Sequence, residues 1–295
     1  ATLGAFSNAQ SDVLLIQISS DMKNILALTD FSTCSRNAIQ YAIHFFKDDS
    51  CRFYLLHVHK SGSFTLDDFM STATANVYDS VLKAEKERLE KLKVELEQVA
   101  YAHHEFDTIL DYNSFIDATH NNIEEKNIEL LVAGFNGVSN AAEILFGSHT
   151  LSIIRRIHCN TLVVPECVKF HPPKTMLIPL DAKDDIQSEA FEKILTVIRS
   201  QNIHAHVLRV YEKGFTGNRY DESFLMKHCK DIDYTYHVIE NVPLDYAKSC
   251  YVQMHDIDAI GLIVQKESVF DRLFKHSSTT TISKTLKRPL LVVHP

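Results

Sequence analysis

Long apolar runs are missing from this sequence of 295 residues. No apolar segment approaches the roughly 20 residues that a membrane-spanning helix needs, so no membrane span is predicted. The N-terminus has no basic region followed by an apolar core, which argues against a secretory signal. The six cysteines show no paired, metal-type spacing, and reduced thiols are the simplest interpretation. These absences together predict a cytoplasmic protein.

Positive charge is also scarce. The chain has 30 Lys and Arg against 38 Asp and Glu, a formal net charge of −8. Nucleic acids and anionic membranes need a basic face, so neither is expected as a partner. A phosphate-bearing small molecule is not excluded, because backbone N–H groups at a helix N-terminus can bind it without lysine.

Motifs of fast catalysis are missing as well. The sequence contains no G-x-S-x-G elbow and no nucleophile placed beside a base. It has no G-x-x-x-x-G-K-[ST] loop, and so lacks the lysine that usually drives nucleoside triphosphate chemistry. Binding is therefore favoured over catalysis, and an enzyme is not expected beyond a slow ATPase.

What the chain does contain is an internal repeat. The apolar run that ends at Asp30 recurs 151 residues later in the run that ends at Asp181, and two later strand-like runs recur at an offset of 129. The difference between the offsets, 151 − 129 = 22, means that the second copy is 22 residues shorter, and the shortening falls after its second strand. The predicted domains are an N-terminal extension (1–21), a first domain (22–167), a linker with two prolines (168–174) and a shorter second domain (175–295).

Each copy alternates apolar strands with amphipathic helices, which predicts a parallel sheet of five strands flanked by helices. A long helix near 77–102 is indicated by Leu89, Leu92, Leu96 and Val99 at spacings of three and four. The other elements predicted in the first copy are strands at 24–29, 52–58, 106–111, 128–133 and 161–165 and helices at 34–47, 114–125 and 149–157.

Glycine is sparse, and three of the eight glycines stand in one pattern, Gly134-x2-Gly137-x9-Gly147, followed by Ser148. An apolar strand precedes the pattern and a helix follows it, so backbone N–H groups could hold an anion there. Asp30 and Val58 end the first two strands, and ligands bind outside the carboxyl ends of such strands. The alternative is that the glycines only form a turn and Ser148 only caps the helix.

This pattern resembles the ATP-binding signature of the universal stress proteins. Three further segments are similar to positions of that family: Thr29-Asp-Phe-Ser32, Leu55-Leu-His-Val58 and Cys159-Asn-Thr-Leu-Val-Val164. The resemblance covers residues 23–295 as two tandem copies and is specific in the first. It implies nucleotide-binding α/β domains that pair through the edge of the last strand, here within one chain, with a further homodimer open.

The resemblance also implies a ligand and its contacts. ATP is the implied cofactor, with magnesium or manganese on its phosphates. Asp30 and Val58 would hold the adenine and ribose end, Ser148 a phosphate oxygen, and the three glycines the phosphate chain (Gly134, Gly137 and Gly147). With little or no hydrolysis, the expected function is regulatory: occupancy of the site biases a conformation or a partner surface in a stress response.

The second copy departs from the pattern, because Ile263, Lys266 and His276 stand where the first copy has its glycines. Bulky side chains disfavour positive φ, so no ATP binding of the family type is expected there. A structural scaffold with an empty site, a slow ATPase and a binder of another ligand remain as alternatives. The histidines at 57, 59, 103 and 104 could imitate a metal site, but packing and surface roles are favoured.

Overall fold

The computed structural model describes residues 22–59, 72–135, 153, 156–211, 218–264 and 287–294. The prediction for residues 1–21 lies outside these ranges. The strands are β1 (Lys23–Leu28), β2 (Cys51–Val58), β3 (His104–Asp111), β4 (Leu130–Phe135), β5 (Thr161–Pro165), β6 (Thr175–Leu180), β7 (His204–Tyr211), β8 (Tyr234–Glu240), β9 (Ala259–Ile263) and β10 (Leu290–Val293). The helices are α1 (Thr33–Phe45), α2 (Thr72–Glu97), α3 (Phe115–Lys126), α4 (Glu189–Gln201), α5 (Asn218–His228) and α6 (Leu244–Met254).

The ten strands form one sheet in the order β3-β2-β1-β4-β5-β10-β9-β6-β7-β8. Within each half all paired strands are parallel, and the two halves have the same order read outward from the centre. The prediction of two five-stranded parallel α/β units is therefore confirmed.

The halves join through an antiparallel ladder between β5 and β10, the last strand of each. Leu162 lies opposite Leu291 in this ladder, and these residues correspond at the repeat offset of 129. A pseudo-twofold axis therefore passes through the pair. Pairing through the last strand, which the family resemblance implied, occurs within the chain.

Helices cover both faces of the sheet, which explains why successive strand residues are apolar. Ile25 and Leu26 point to opposite faces, and each is completely buried. One face carries α1, α2 and α4 over a core shared by both halves. On the other face α3 packs against the first half and α6 against the second. Strands buried on both sides are typical of parallel sheets.

Local signals set the helix ends. Serine side chains cap the N-termini of α1, α3 and α4 by accepting a hydrogen bond from a backbone N–H in the first turn (Ser32, Ser114 and Ser188). At the other end, α3 and α4 stop at Asn127 and Asn202, both in the left-handed conformation with φ of 50° and 51°. Asparagine tolerates this conformation better than most residues, so it ends a helix well.

The long helix differs from its predicted range. The three leucines of its apolar stripe are each 1% exposed, as predicted (Leu89, Leu92 and Leu96). However, α2 ends at Glu97, and Val99 lies in the turn that follows, where it is 40% exposed. The prediction was wrong for Val99 because β3 begins at His104, opposite Cys51, two residues earlier than expected. The helix must therefore end early enough for the chain to pair with β2 from His104 onward.

The segment between β5 and β6 lacks helix and strand, in keeping with its two prolines, and it is anchored to α1. Asn37 Nδ2 donates to the carbonyl oxygens of Pro165 and Val168 at 3.2 and 2.8 Å. The Phe170 ring lies 5.1 Å from that of Tyr41. All six cysteines are free. Across the described part of the chain, no helix has both the length and the apolarity for crossing a bilayer.

Candidate functional site

The carboxyl ends of β1, β2 and β4 are adjacent, because β1 pairs with both other strands. This edge brings together Asp30 after β1, Val58 at the end of β2 and Gly134 near the end of β4. Half of the predicted site therefore lies at one edge of the sheet. The other half of the predicted set, Gly137, Gly147 and Ser148, lies outside the described residues.

Asp30 is exposed at this edge, and its carboxylate is held by its own loop. Its Oδ1 accepts a hydrogen bond from the backbone N–H of Ser32 at 3.0 Å. Burial acts to raise the pKa of Asp30, but hydrogen bonds from Ser32 and Ser35 outweigh it and hold the pKa below its usual value. Asp30 is thus ionised at neutral pH and can accept hydrogen bonds from a ligand's N–H or O–H groups.

Gly134 is needed by the packing of α1, whether or not a ligand binds. A Cβ atom at this position would lie 2.8 Å from both the carbonyl oxygen and the Sγ of Cys34. Cβ atoms essentially never make contacts that short, so only glycine lets the start of α1 approach β4 this closely. Burial raises the pKa of the Cys34 thiol to about 12, so this cysteine is not a reactive thiolate.

Next to Asp30, Phe31 adopts a left-handed backbone conformation with φ of 64°. Such a φ is unusual for a bulky residue and persists only where the surroundings hold it. Its ring lies 4.4 Å from that of His57, between centroids, and the guanidinium carbon of Arg88 lies 4.1 Å from the Phe31 centroid. The His57 Nδ1 is 2.8 Å from the carbonyl oxygen of Thr29. Sequence reasoning missed this stack of three side chains.

The histidines singled out in the sequence fall into two separate groups. His57 and His59 do face the same side of β2, and both approach Glu85 Oε1, at 3.6 and 2.9 Å. His103 and His104 lie at the opposite end of the sheet, where they bond the carbonyl oxygens that follow α1. Among the described residues, no three His, Cys, Asp or Glu side chains are arranged to hold a metal ion.

In the second half an arginine occupies the position of His57. Ile25 and Met176 correspond at the repeat offset of 151. His57 comes four residues after the β2 residue that pairs with Ile25, and Arg209 comes four residues after the β7 residue that pairs with Met176. It is 1% exposed, and it bonds both carboxylate oxygens of Asp221 at 2.6 and 2.9 Å. It also donates to the carbonyl oxygens of Asp181 and Asp184. The edge that would hold a ligand is thus crossed by a buried ion pair.

The glycine of the first half is also replaced in this half. Ile263, which corresponds to Gly134, is 2% exposed and belongs to the core that both halves share. The connection to the helix is longer here, eight residues at 181–188 against four at 29–32. Close approach occurs instead at Gly261, where a Cβ would lie 3.1 Å from Ile194 Cγ2. The replacements at Arg209 and Ile263 favour the expectation that the second half lacks the family's site, which stays a prediction.

A histidine cluster under α6 was not expected from the sequence, where the members are scattered. Tyr251 Oη lies 2.9 Å from the Nδ1 of His206 and 2.8 Å from the Nδ1 of His237. His204 and His255 have ring centroids 4.6 and 5.5 Å from that of His206. Burial, then the charges these neighbouring histidines would carry, lowers the pKa of His206 to about 4. The cluster therefore favours the neutral form of His206.

Acid is expected to destabilise the fold through such histidines. Burial and the neighbouring His158 also lower the pKa of His294 to about 4. Because both folded-state values lie below the ordinary 6.5, stability should be constant above that pH and fall as pH drops from 6.5 to 4. At pH 5 we expect a loss of about 1 kcal/mol for each, allowing for partial solvation.

Urea unfolding at pH 7.5 and pH 5 measures this loss. His206→Gln should flatten the pH dependence, and His120→Gln, at an exposed position on α3, serves as the control. An equal loss of unfolding free energy between pH 7.5 and pH 5 in wild type and His206→Gln would contradict the role given to His206.

Comparison with known proteins agrees with this architecture. Residues 22–165 match the model of the universal stress protein family. The fold resembles the crystal structure of a universal stress protein from Archaeoglobus fulgidus, with a TM-score of 0.68 and 15% identity, over 92% of this chain and 96% of that chain. A putative universal stress protein from Pseudomonas aeruginosa gives a TM-score of 0.53 at 10% identity, over 94% of each chain. No curated protein sequence matches the chain.

Proposed function

We propose, from the premise that residues 22–165 belong to the universal stress protein family, that the first half of this chain binds ATP and acts as a regulatory protein in a stress response. The ligand lies outside the carboxyl ends of β1, β2 and β4. Asp30 and Val58 contact the adenine and ribose end. The glycines of the 134–147 pattern and Ser148 contact the phosphates, together with a magnesium or manganese ion.

One observation supports the proposal most directly: Asp30, Val58 and Gly134 come from three distant parts of the chain and share one edge. In open parallel sheets, ligands bind at the carboxyl edge where the strand order reverses, and β1 and β4 flank that point here. Asp30 supplies an ionised acceptor there. The glycine pattern that begins in β4 is proposed to supply backbone N–H donors for phosphate.

Binding without rapid turnover is proposed. Nucleotide hydrolysis needs a group that orients or deprotonates the attacking water. The described histidines at this edge already have partners, since His57 contacts the Thr29 carbonyl and both His57 and His59 approach Glu85. Occupancy of the site then carries the signal, by favouring one conformation or one partner surface.

Calorimetric titration with Mg-ATP tests the proposal. We expect one site per chain in the wild-type protein, weaker binding in Asp30→Asn, and no binding in Gly147→Val, because a branched side chain blocks the backbone approach of the phosphates. Circular dichroism of each variant controls for folding, and a phosphate-release assay measures turnover.

Other outcomes favour the alternatives. Two sites per chain would contradict the assignment of the second half, where Arg209 and Ile263 occupy the corresponding space. No binding of any nucleotide by folded wild-type protein would favour a scaffold. Turnover lost in Gly147→Val would favour a slow ATPase, and displacement of ATP by an unrelated small molecule would favour another ligand.

The pairing edge of each half is already used inside the chain, by β5 and β10. A homodimer would therefore need a different surface, and it stays a prediction that sedimentation of the purified protein can test. The cytoplasmic location and the domain boundaries at 22–167, 168–174 and 175–295 likewise stay predictions.

A further inference from the structure

Arg88 is the cationic member of the stack beside Asp30. It extends from α2, is exposed, and places its guanidinium over the ring of Phe31, with 4.1 Å from its central carbon to the ring centroid. Phe31 rests in turn on His57. Two of the three residues are direct neighbours of Asp30 and Val58, which the proposed function assigns to the adenine and ribose end of the ligand. Arg88 therefore stands at the proposed site, although it comes from a different element.

Arg88 has no carboxylate partner among the described residues. Four other arginines form ion pairs, on the surface or in the core (Arg36, Arg52, Arg199 and Arg209). Glu85, one turn earlier on α2, is turned toward His57 and His59 instead. Within the described part of the chain, the Phe31 ring is the contact that positions the guanidinium, and its N–H donors are left for another acceptor there.

We propose that Arg88 binds the phosphate that adjoins the ribose of the nucleotide, an inference that rests on the proposed function of the first half. A guanidinium presents a planar fork of donors that matches two phosphate oxygens at once. The contact with Phe31 limits its freedom before the ligand arrives, so less conformational entropy is lost on binding. The chain has no P-loop lysine, and Arg88 supplies a positive charge from α2.

The test compares a nucleotide with its nucleoside. Affinities for ATP and for adenosine are measured by calorimetry on wild-type protein, Arg88→Gln and Arg88→Lys. Lys86→Gln is the matched control, because it removes the same charge from an exposed position two residues away on the same helix. We expect Arg88→Gln to weaken ATP binding about tenfold and to change adenosine binding less than about twofold. Arg88→Lys should recover part of the loss, and Lys86→Gln should match the wild type.

Three results would overturn the inference. Equal losses for ATP and adenosine would mean that Arg88 only supports Phe31 and the loop. An equal loss in Lys86→Gln would mean a general effect of net charge. Unchanged ATP binding in Arg88→Gln would overturn the inference while the proposed function stands, whereas wild-type protein that binds neither ATP nor adenosine would overturn both.

Discussion

Replacing Arg209 by methionine is expected to lower the free energy of unfolding by about 3–5 kcal/mol. Arg209 and Asp221 are 1% and 2% exposed, and two hydrogen bonds join them. Removal of the arginine leaves the Asp221 carboxylate in the core, bonded only to the hydroxyl of Tyr236 within the described contacts. A buried charge that loses its partner costs far more than the ion pair contributes.

Two comparisons separate this effect from a general loss of charge. Arg52→Met removes an exposed ion pair with Glu105 and should cost less than about 1 kcal/mol. The double variant Arg209→Met/Asp221→Leu removes both buried charges and should recover most of the stability. Urea unfolding measures all three variants. A double variant no more stable than Arg209→Met would show that the arginine's bonds to the backbone carbonyls matter more than its pairing with Asp221.

Gly134→Ala is expected to destabilise the protein by about 1–3 kcal/mol even without ligand. The added Cβ would meet the Cys34 carbonyl oxygen at 2.8 Å, and this atom belongs to the backbone of α1. Because a backbone atom cannot rotate away, α1 must shift from β4. Cys34→Ala should not rescue the variant, since it removes only the Sγ contact.

The matched control is Gly261→Ala in the second half. There the nearest atom, at 3.1 Å, is a side-chain methyl of Ile194, which can move, so the expected cost is below about 1 kcal/mol. Thermal and urea unfolding of both variants, in the absence of nucleotide, give the comparison. Equal costs at the two positions would mean that the close approach to Cys34 is not what requires glycine at 134.

The packing of Gly134 limits what a substitution there can show about the glycine pattern. In sequence, Gly134 belongs to a phosphate loop, and the resemblance to universal stress proteins supports that assignment. In the structure it also holds the contact between α1 and β4. A loss of ATP binding in a Gly134 variant would therefore not identify a ligand contact. Gly147→Val and Asp30→Asn are the better tests of the site.

The sequence alone was sufficient for the architecture. Its repeat offsets and its alternation of apolar strands with helical stripes predicted two parallel α/β units, because these signals depend on local periodicity and on residues near each other in the chain. The carboxyl ends of the strands could be predicted to meet, and with them Asp30, Val58 and Gly134. The end of α2 was missed at Val99, since the register of β3 decides it.

Side-chain partnerships between distant segments were decided only by the tertiary structure. Nothing local distinguishes Arg209 from a surface arginine or Arg88 from the other charges of α2. Register places Arg209 at the position of His57 and buries it against Asp221, while the packing of α2 sets Arg88 over Phe31. The same holds for Tyr251 between His206 and His237. Periodicity specifies which face of an element is buried, but the partner of each polar group depends on how the elements pack together.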